Sequence, residues 1–181
     1  AEQLIPTFKP VSTSFLGHKF QIPQIGLTIL NQASAAGDGK IYVDAAANWA
    51  AAHDATSGTT AADLNVLCYR ENASSYYIRR GNIPFDTSSL GVGATVTGVT
   101  LDLYATATED TDNGATGYVC IVQTTFANPL SPVGGDFDQF GTTEAHDAAA
   151  RIDLTGMAVP ATKSWTFNAT GIGFVNKTGT T

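Results

Sequence analysis

The side chains best able to do chemistry are scattered along the chain. The three histidines, His18, His53 and His146, fall in different segments. No His-x-x-x-His pair exists and none adjoins a cysteine, so the ligand spacing of a zinc site is missing. Cys68 and Cys120 are the only cysteines. Each stands in a strand-like run, Leu64–Tyr69 and Tyr118–Val122, without the clustered pairs that hold a metal. Two readings stay open: buried free thiols acting as small apolar residues, or one bridge between strands, which would imply an oxidising or extracellular setting. No Gly-x-Ser-x-Gly elbow presents a nucleophile. Gly91-Val-Gly93 precedes a strand rather than a helix, so it is neither a phosphate loop nor a dinucleotide turn.

Carboxylates are more suggestive. Glu109-Asp110-Thr-Asp112-Asn113-Gly114 is dense in oxygen donors and closed by glycine. Calcium accepts roughly six to eight oxygens in loose geometry, which makes Asp110, Asp112 and Asn113 its candidate ligands. The distal Glu of an EF-hand is missing, and the plainer reading is a solvated acidic loop. No other cofactor is suggested. Asp136 and Asp138 flank Phe137 as a second pair of carboxylates. A glycosidase needs two carboxylates about 5–10 Å apart in a cleft, and no spacing here demands that.

Aromatic residues could stack on sugars if they face outward. The candidates are Trp49, Tyr69, Tyr76, Tyr77, Tyr104 and Trp165. Trp165 shares a face with Phe167 and reads as core. Tyr104 lies opposite Leu101 and Leu103 and is expected in solvent, as a possible sugar contact. Asn72-Ala-Ser74, Asn168-Ala-Thr170 and Asn176-Lys-Thr178 match the glycosylation pattern; chance explains most such matches in so threonine-rich a chain, and glycosylation is the other reading.

These residues are carried by 181 positions, enough for one domain, or one domain with an arm. Lys plus Arg is 9 against Asp plus Glu 16, a net charge of −7. A nucleic-acid binder neutralises phosphate and should be basic, so that class is excluded. Charged residues make up 14% of the chain, well below the roughly 25% of average domains. No apolar run approaches about 18 residues, so no membrane span is expected.

Residues 1–40 form one compositional unit, punctuated by Pro6, Pro10 and Pro23. Within it Ile22, Ile25, Leu27 and Ile29 mark an apolar, alternating stretch ending at Leu30, read as an extended arm with one strand. Residues 41–181 form the main domain. The run from Asp44 to Asp54 reads as a helical turn capped by Asp44. Asn65–Tyr69 and Ser75–Arg80 read as strands, with Tyr77 and Arg79 on one face and Tyr76, Ile78 and Arg80 on the other. Val99, Leu101, Leu103 and Ala105 alternate with Thr100, Asp102, Tyr104 and Thr106, giving a strand with one buried and one wet face. Ile83 and Phe85 read as a short inward strand, with Pro84 at an edge or without a ladder partner. Asp86–Leu90 is a turn in which Asp86 accepts main-chain N–H groups. Tyr118–Thr124, Ile152–Leu154 and Ser164–Ala169 complete the strands, and Thr170 can cap a last helical turn. Many short strands with Gly/Pro turns predict an all-β chain, an antiparallel β-sandwich of jelly-roll type.

Ile83-Pro-Phe-Asp-Thr-Ser-Ser-Leu, then Gly93-Ala-Thr-Val-Thr and Leu101-Asp-Leu-Tyr, resembles the core signature of the DNRLRE-type, carbohydrate-binding-module-like β-sandwich. Asp136-Phe-Asp-Gln-Phe-Gly-Thr-Thr, and Phe167-Asn-Ala-Thr-Gly-Ile before Lys177-Thr-Gly, are similar too, and the resemblance implies a structural role for Asp136 and Asp138. The resemblance covers about residues 75–181. It implies a module found in bacterial extracellular proteins and bacteriophage virion proteins, and it specifies fold far better than function. Such a module implies one more strand after the Lys177-Thr-Gly turn, where this sequence stops at Thr181. A missing strand would leave unpaired main-chain groups beside an open groove, which a partner strand could fill. The arm could supply that strand to a neighbouring copy. Alternatively it fills its own sheet, or the sequence is the ordered part of a longer chain. The expected role is a non-enzymatic structural subunit of a virion surface or other extracellular assembly, contacting identical subunits or other surface proteins. The alternative is a carbohydrate-binding module whose partner is a glycan.

Overall fold

The computed structural model describes residues 19–23, 29–32, 35–108, 117–141, 148–155 and 157–181. The fold is all-β and antiparallel, with two short helices. One four-stranded sheet has β1 (Lys19–Pro23), β2 (Ile29–Gln32), β7 (Thr100–Ala105) and β10 (Ala161–Thr166) in the order β10-β7-β1-β2. The other has β3 (Gly39–Ala46), β4 (Thr59–Ala61), β5 (Leu67–Asn72) and β6 (Ser75–Asn82) in the order β4-β3-β6-β5. A ribbon of β8 (Tyr118–Val119) and β9 (Ile152–Asp153) stands apart from both.

The N-terminal segment corrects the expectation of one strand. Ile22 lies in β1 opposite Leu30, and Ile29 in β2 opposite Pro23. Proline cannot donate to a ladder, which fits a strand that stops there. Through Phe20↔Leu101, β1 joins β7 of the same chain, so these strands extend their own sheet. Ile25 and Leu27 lie outside the described residues.

Neither helix starts at its expected cap. α1 (Trp49–His53) is capped by Asn48, whose Oδ1 accepts from Ala51 N at 2.9 Å. Asp44 is not the cap, because β3 runs on to Ala46 and the Asp44 carboxylate is held by Arg79. α2 (Ala169–Gly173) is capped by Asn168, accepting from Gly171 N at 3.0 Å, two residues before Thr170. All three asparagines of the glycosylation pattern hold turns in this way. Asn72 Oδ1 accepts from Ser74 N at 2.9 Å, and Asn176 Oδ1 from Thr178 N at 3.1 Å.

The strand from Thr100 follows its alternation: Val99 and Leu101 are buried, and Tyr104 is 43% exposed. Asp86 Oδ1 accepts from Ser88 N at 3.0 Å, opening a 3-10 turn over Ser88–Leu90. Ile83–Phe85 joins neither sheet. Instead Phe85 and Thr181 exchange two main-chain bonds of 2.8 Å, and the fully buried Pro84 accepts from Ala35 N at 2.7 Å. Thr87 beside them is fully buried, its hydroxyl against Asn176 O, Gly179 O and Thr181 Oγ1.

Apolar burial divides into two clusters. The first gathers Phe85, Val99, Leu101, Ala149, Trp165 and Val175. The second gathers Ile41, Ala52, Ile78, Phe126, Phe137 and Phe140. Phe126 and Phe140 meet edge-on, 4.9 Å between centroids at 85°. Phe137 is wholly buried on a 3-10 turn over Gly134–Gln139. Asp136 anchors that turn by accepting from Val133 N at 2.9 Å, which bears out a structural reading of this carboxylate. Arg80 lies over the Phe137 ring, 4.2 Å from guanidinium carbon to centroid, and donates to Phe137 O and His53 O. Burial depresses the Arg80 pKa, so the guanidinium sits here against its solvation preference.

Candidate functional site

The chain changes cluster at the end of β6. Ile78 packs in the second cluster; Ile83 packs against the first. It returns at Ile121–Val122, where Ile121 packs against the first cluster and Val122 against the second. A groove of about 570 Å³ opens at these crossings. Phe85 and Leu101 line it from one cluster, Phe126 and Phe140 from the other. Its lining also carries Asn82, Gln123, Asn128 and Asn176. Asn82 is buried and its Nδ2 already donates to Gly37 O and Pro129 O. Apolar and aromatic walls with a few amides suit an apolar or hydrogen-bonding ligand. Asp, Glu, His, Lys and Arg are absent from the described side chains that line it, and Cys120 is the titratable side chain among them.

One wall of the groove is main chain. Tyr118–Thr124 was expected as a strand, but only Tyr118–Val119 pairs, with β9. Main-chain bonds resume at Gln123 O, which accepts from Gly141 N, and at Thr125 N, which donates to Gln139 O. Between them, among the described residues, the main chain of Cys120–Val122 has no hydrogen-bond partner.

A second constellation lies on the sheet β4-β3-β6-β5. Registers Tyr42↔Arg79, Leu67↔Arg79 and Tyr69↔Tyr77 put Tyr42, Asp44, Tyr69, Glu71, Tyr77 and Arg79 on one face. The opposite face carries Ile41, Val43 and Ile78 into the second cluster, so the tyrosine face looks outward. Tyr69 is 44% exposed and its ring lies 5.7 Å from that of Tyr77. Arg79 grips Asp44 through Nε (3.1 Å) and Nη2 (2.7 Å) and lies over the Tyr42 ring, 5.7 Å from its centroid. That pairing raises the Arg79 pKa. Lys40 reaches Asp63 at 2.6 Å and also lies over Tyr42; the Lys40 bond lowers the Asp63 pKa. Tyr77 donates to Glu71 at 2.7 Å, and this bond raises the Tyr77 pKa. A bulge between Val43 and Ala46, with Ala45 at φ 58°, sets the end of β3 that carries Asp44. Bulges commonly re-aim a side chain.

The residues singled out from sequence disperse. Cys68 and Cys120 are both free and both exposed, which corrects the bridge and the buried-thiol reading alike. Cys68 lies on β5 and Cys120 beyond β8, strands of separate sheets. Partial desolvation still pushes both thiols up. Tyr104 is exposed, but it stands on β7, away from the tyrosine face. Trp165 is buried in the first cluster, as expected of core. His53 ends α1, stacked on Trp49 at 5.2 Å and 2.6 Å from Asp54. Asp110, Asp112, Asn113, His18 and His146 lie outside the described residues. Among the described residues no three metal-ligating side chains converge, and no helix is long and apolar enough to cross a membrane. Sequence reading missed Tyr42 and the groove. The Tyr77/Arg79 face was legible from period 2, whereas placing Tyr42 and Asp44 on it takes the Tyr42↔Arg79 register between strands.

Family models, curated proteins and solved structures yield no match to this chain.

Proposed function

We propose that this chain is a non-enzymatic structural subunit of a virion surface (a capsid decoration, head fibre or tail component) or of another extracellular assembly. In this reading its two four-stranded sheets are the layers of a jelly-roll-like sandwich of the DNRLRE type, which the Ile83–Leu90 and Leu101–Tyr104 sequences resemble. The observation that carries it is the unpaired main chain of Cys120–Val122 beside the groove. Unpaired strand edges template pairing with another chain, and the adjoining apolar pockets would accept alternate side chains of an added strand. The neighbour is a second copy of this chain, joined through the groove. The β1–β2 segment is already committed to its own sheet, so the exchange of residues 19–32 is not part of the proposal.

Sedimentation and electron microscopy of the full chain, with two variants, test this. Cys120→Pro removes an N–H that no described group of this chain uses, so stability is expected to hold while assembly is lost. Cys120→Ser should assemble like the parent, which separates strand pairing from thiol chemistry. A parent chain that stays a single protomer at high concentration, or a Cys120→Pro variant that assembles normally, would refute it.

A further inference from the structure

We propose that the free edge of β5 is a second self-interface, pairing antiparallel with β5 of another copy about a two-fold axis through Cys68. None of its residues lines the groove, so this contact is separate from the one proposed above. β5 pairs with β6 and ends its sheet, and among the described residues no strand covers its other edge. Every residue from Cys68 to Asn72 is exposed. Such an edge templates another strand unless charges, bulges or proline guard it. Here the guards are turned away. Arg70 folds back over the Tyr76 ring and donates to Asn72 O at 3.1 Å, and Glu71 is held by Tyr77. The register shift lies beyond Arg70, toward the hairpin turn. Leu67-Cys68-Tyr69 is left uncharged and regular, with Tyr69 44% and the preceding Val66 56% exposed.

Symmetry and charge select the register and the partner. A two-fold axis normal to the sheet keeps the cluster-facing sides of both copies together. Residues directly opposite then share a face, so the axis passes through one residue of β5. Through Arg70 or Glu71 it sets like charges opposite each other, which is destabilising. Through Tyr69 it sets Glu71 against Leu67 of the other copy. Through Leu67 or Asn72, the ends of the strand, it leaves that residue alone paired. Through Cys68 it sets Leu67 against Tyr69 twice, an aliphatic–aromatic pair on each side of two facing thiols. The strand is thus complementary to itself, and the two sheets become one of eight strands. A lone pair of strands is marginal in water, so this contact is weak beside the groove. Two distinct contacts let copies extend over a surface, where one isologous contact closes at a dimer.

The facing thiols make the test. Bis-maleimidoethane, which adds one thiol across each of its two double bonds, is applied to the full Cys120→Ser chain, where Cys68 is the remaining cysteine. A covalent dimer is expected. Tyr69→Lys in that chain should lower its yield about tenfold, the loss of two cross-strand pairs. Adding Leu67→Glu should restore the yield, because Glu then faces Lys across the joint twice. Within one copy the new Glu stands opposite Arg79 and the new Lys opposite Tyr77, so the protomer tolerates both. Absence of the dimer overturns the proposal. Undiminished yield from Tyr69→Lys also overturns it, by showing chance collision of exposed thiols, as does a double variant no better than the single one. Cys120→Pro should cross-link through Cys68 like Cys120→Ser. A parent chain that sediments as a protomer yet cross-links would sink the groove contact and leave this one; particles whose Cys68 thiols do not cross-link would do the reverse.

Discussion

The two apolar clusters are built on opposite plans. The second is centred on a single ring: Phe137, delivered by a 3-10 turn, fully buried, with Arg80 laid across it. The first is spread along paired strands, with Leu101 opposite Trp165 across the β7–β10 ladder. Each has its own fastener. Gly58 N donates to Gly134 O at 2.8 Å beside the second cluster, and a Cβ on Gly134 would run into the Gly58 carbonyl. The Phe85–Thr181 and Thr87 bonds fasten the first. Neither cluster is continuous in sequence. A chain that alternates between two centres leaves a seam where it crosses, and the groove is that seam.

The sharpest way to break this comparison is Phe137→Ala. With the ring wholly buried, the loss should be about 3–5 kcal/mol by urea denaturation. A loss under about 1 kcal/mol would show that the second cluster does not hang on one residue. Next is Thr87→Val, which keeps the shape but deprives buried carbonyls of a donor. It should cost about 1–3 kcal/mol. Amide exchange should quicken at the Phe85–Thr181 bonds while that of β3 and β6 is unchanged. Slower still in effect is Trp165→Phe. Among the described residues Trp165 Nε1 is buried with no hydrogen-bond partner, so losing that N–H offsets part of the lost volume. The expected cost is below about 1.5 kcal/mol, far less than Phe137→Ala despite the larger side chain.

The smallest expected effect is electrostatic and belongs to the second sheet. Asp63 is held below its ordinary value by the Lys40 bond. A depressed carboxylate contributes stability above its unfolded pKa and loses it as pH falls through the folded one. Stability should therefore be flat from neutral pH down to about 4 and then decline. Asp63→Asn should lessen that decline, visible as a smaller shift of the urea midpoint between pH 5 and pH 3. An unchanged decline would exclude this pair as a contributor.

Local pattern was legible where one face is wet and the other dry. The run Val99–Ala105 declared its orientation, and Asp86 declared its turn, because both depend on nearest neighbours. Asp44 misled because an acidic residue before an alanine run is a good cap on propensity alone; Arg79, 35 positions away, holds it instead. Cys120–Val122 misled for a related reason. Its composition is that of a strand, and composition does not say whether a ladder partner exists. The arm's place in its own sheet was hidden because its pairing partner β7 lies 81 positions on, at Leu101 opposite Phe20. The tyrosine face needed registers between three strands, which period 2 within any one of them does not supply.

The position of the seam also governs how the molecule would melt. Two centres joined by crossing segments can loosen one at a time, so a bare protomer is expected to unfold over a broad range of temperature. Anything lodged between Phe85 and Phe126 touches both and ties their fates. A saturating occupant adds about RT ln(1 + [L]/Kd) to whichever state keeps the seam shut. Calorimetry would then show one narrow peak where the empty chain gives a smeared one, so the sharpness of the transition itself reports whether the gap is filled.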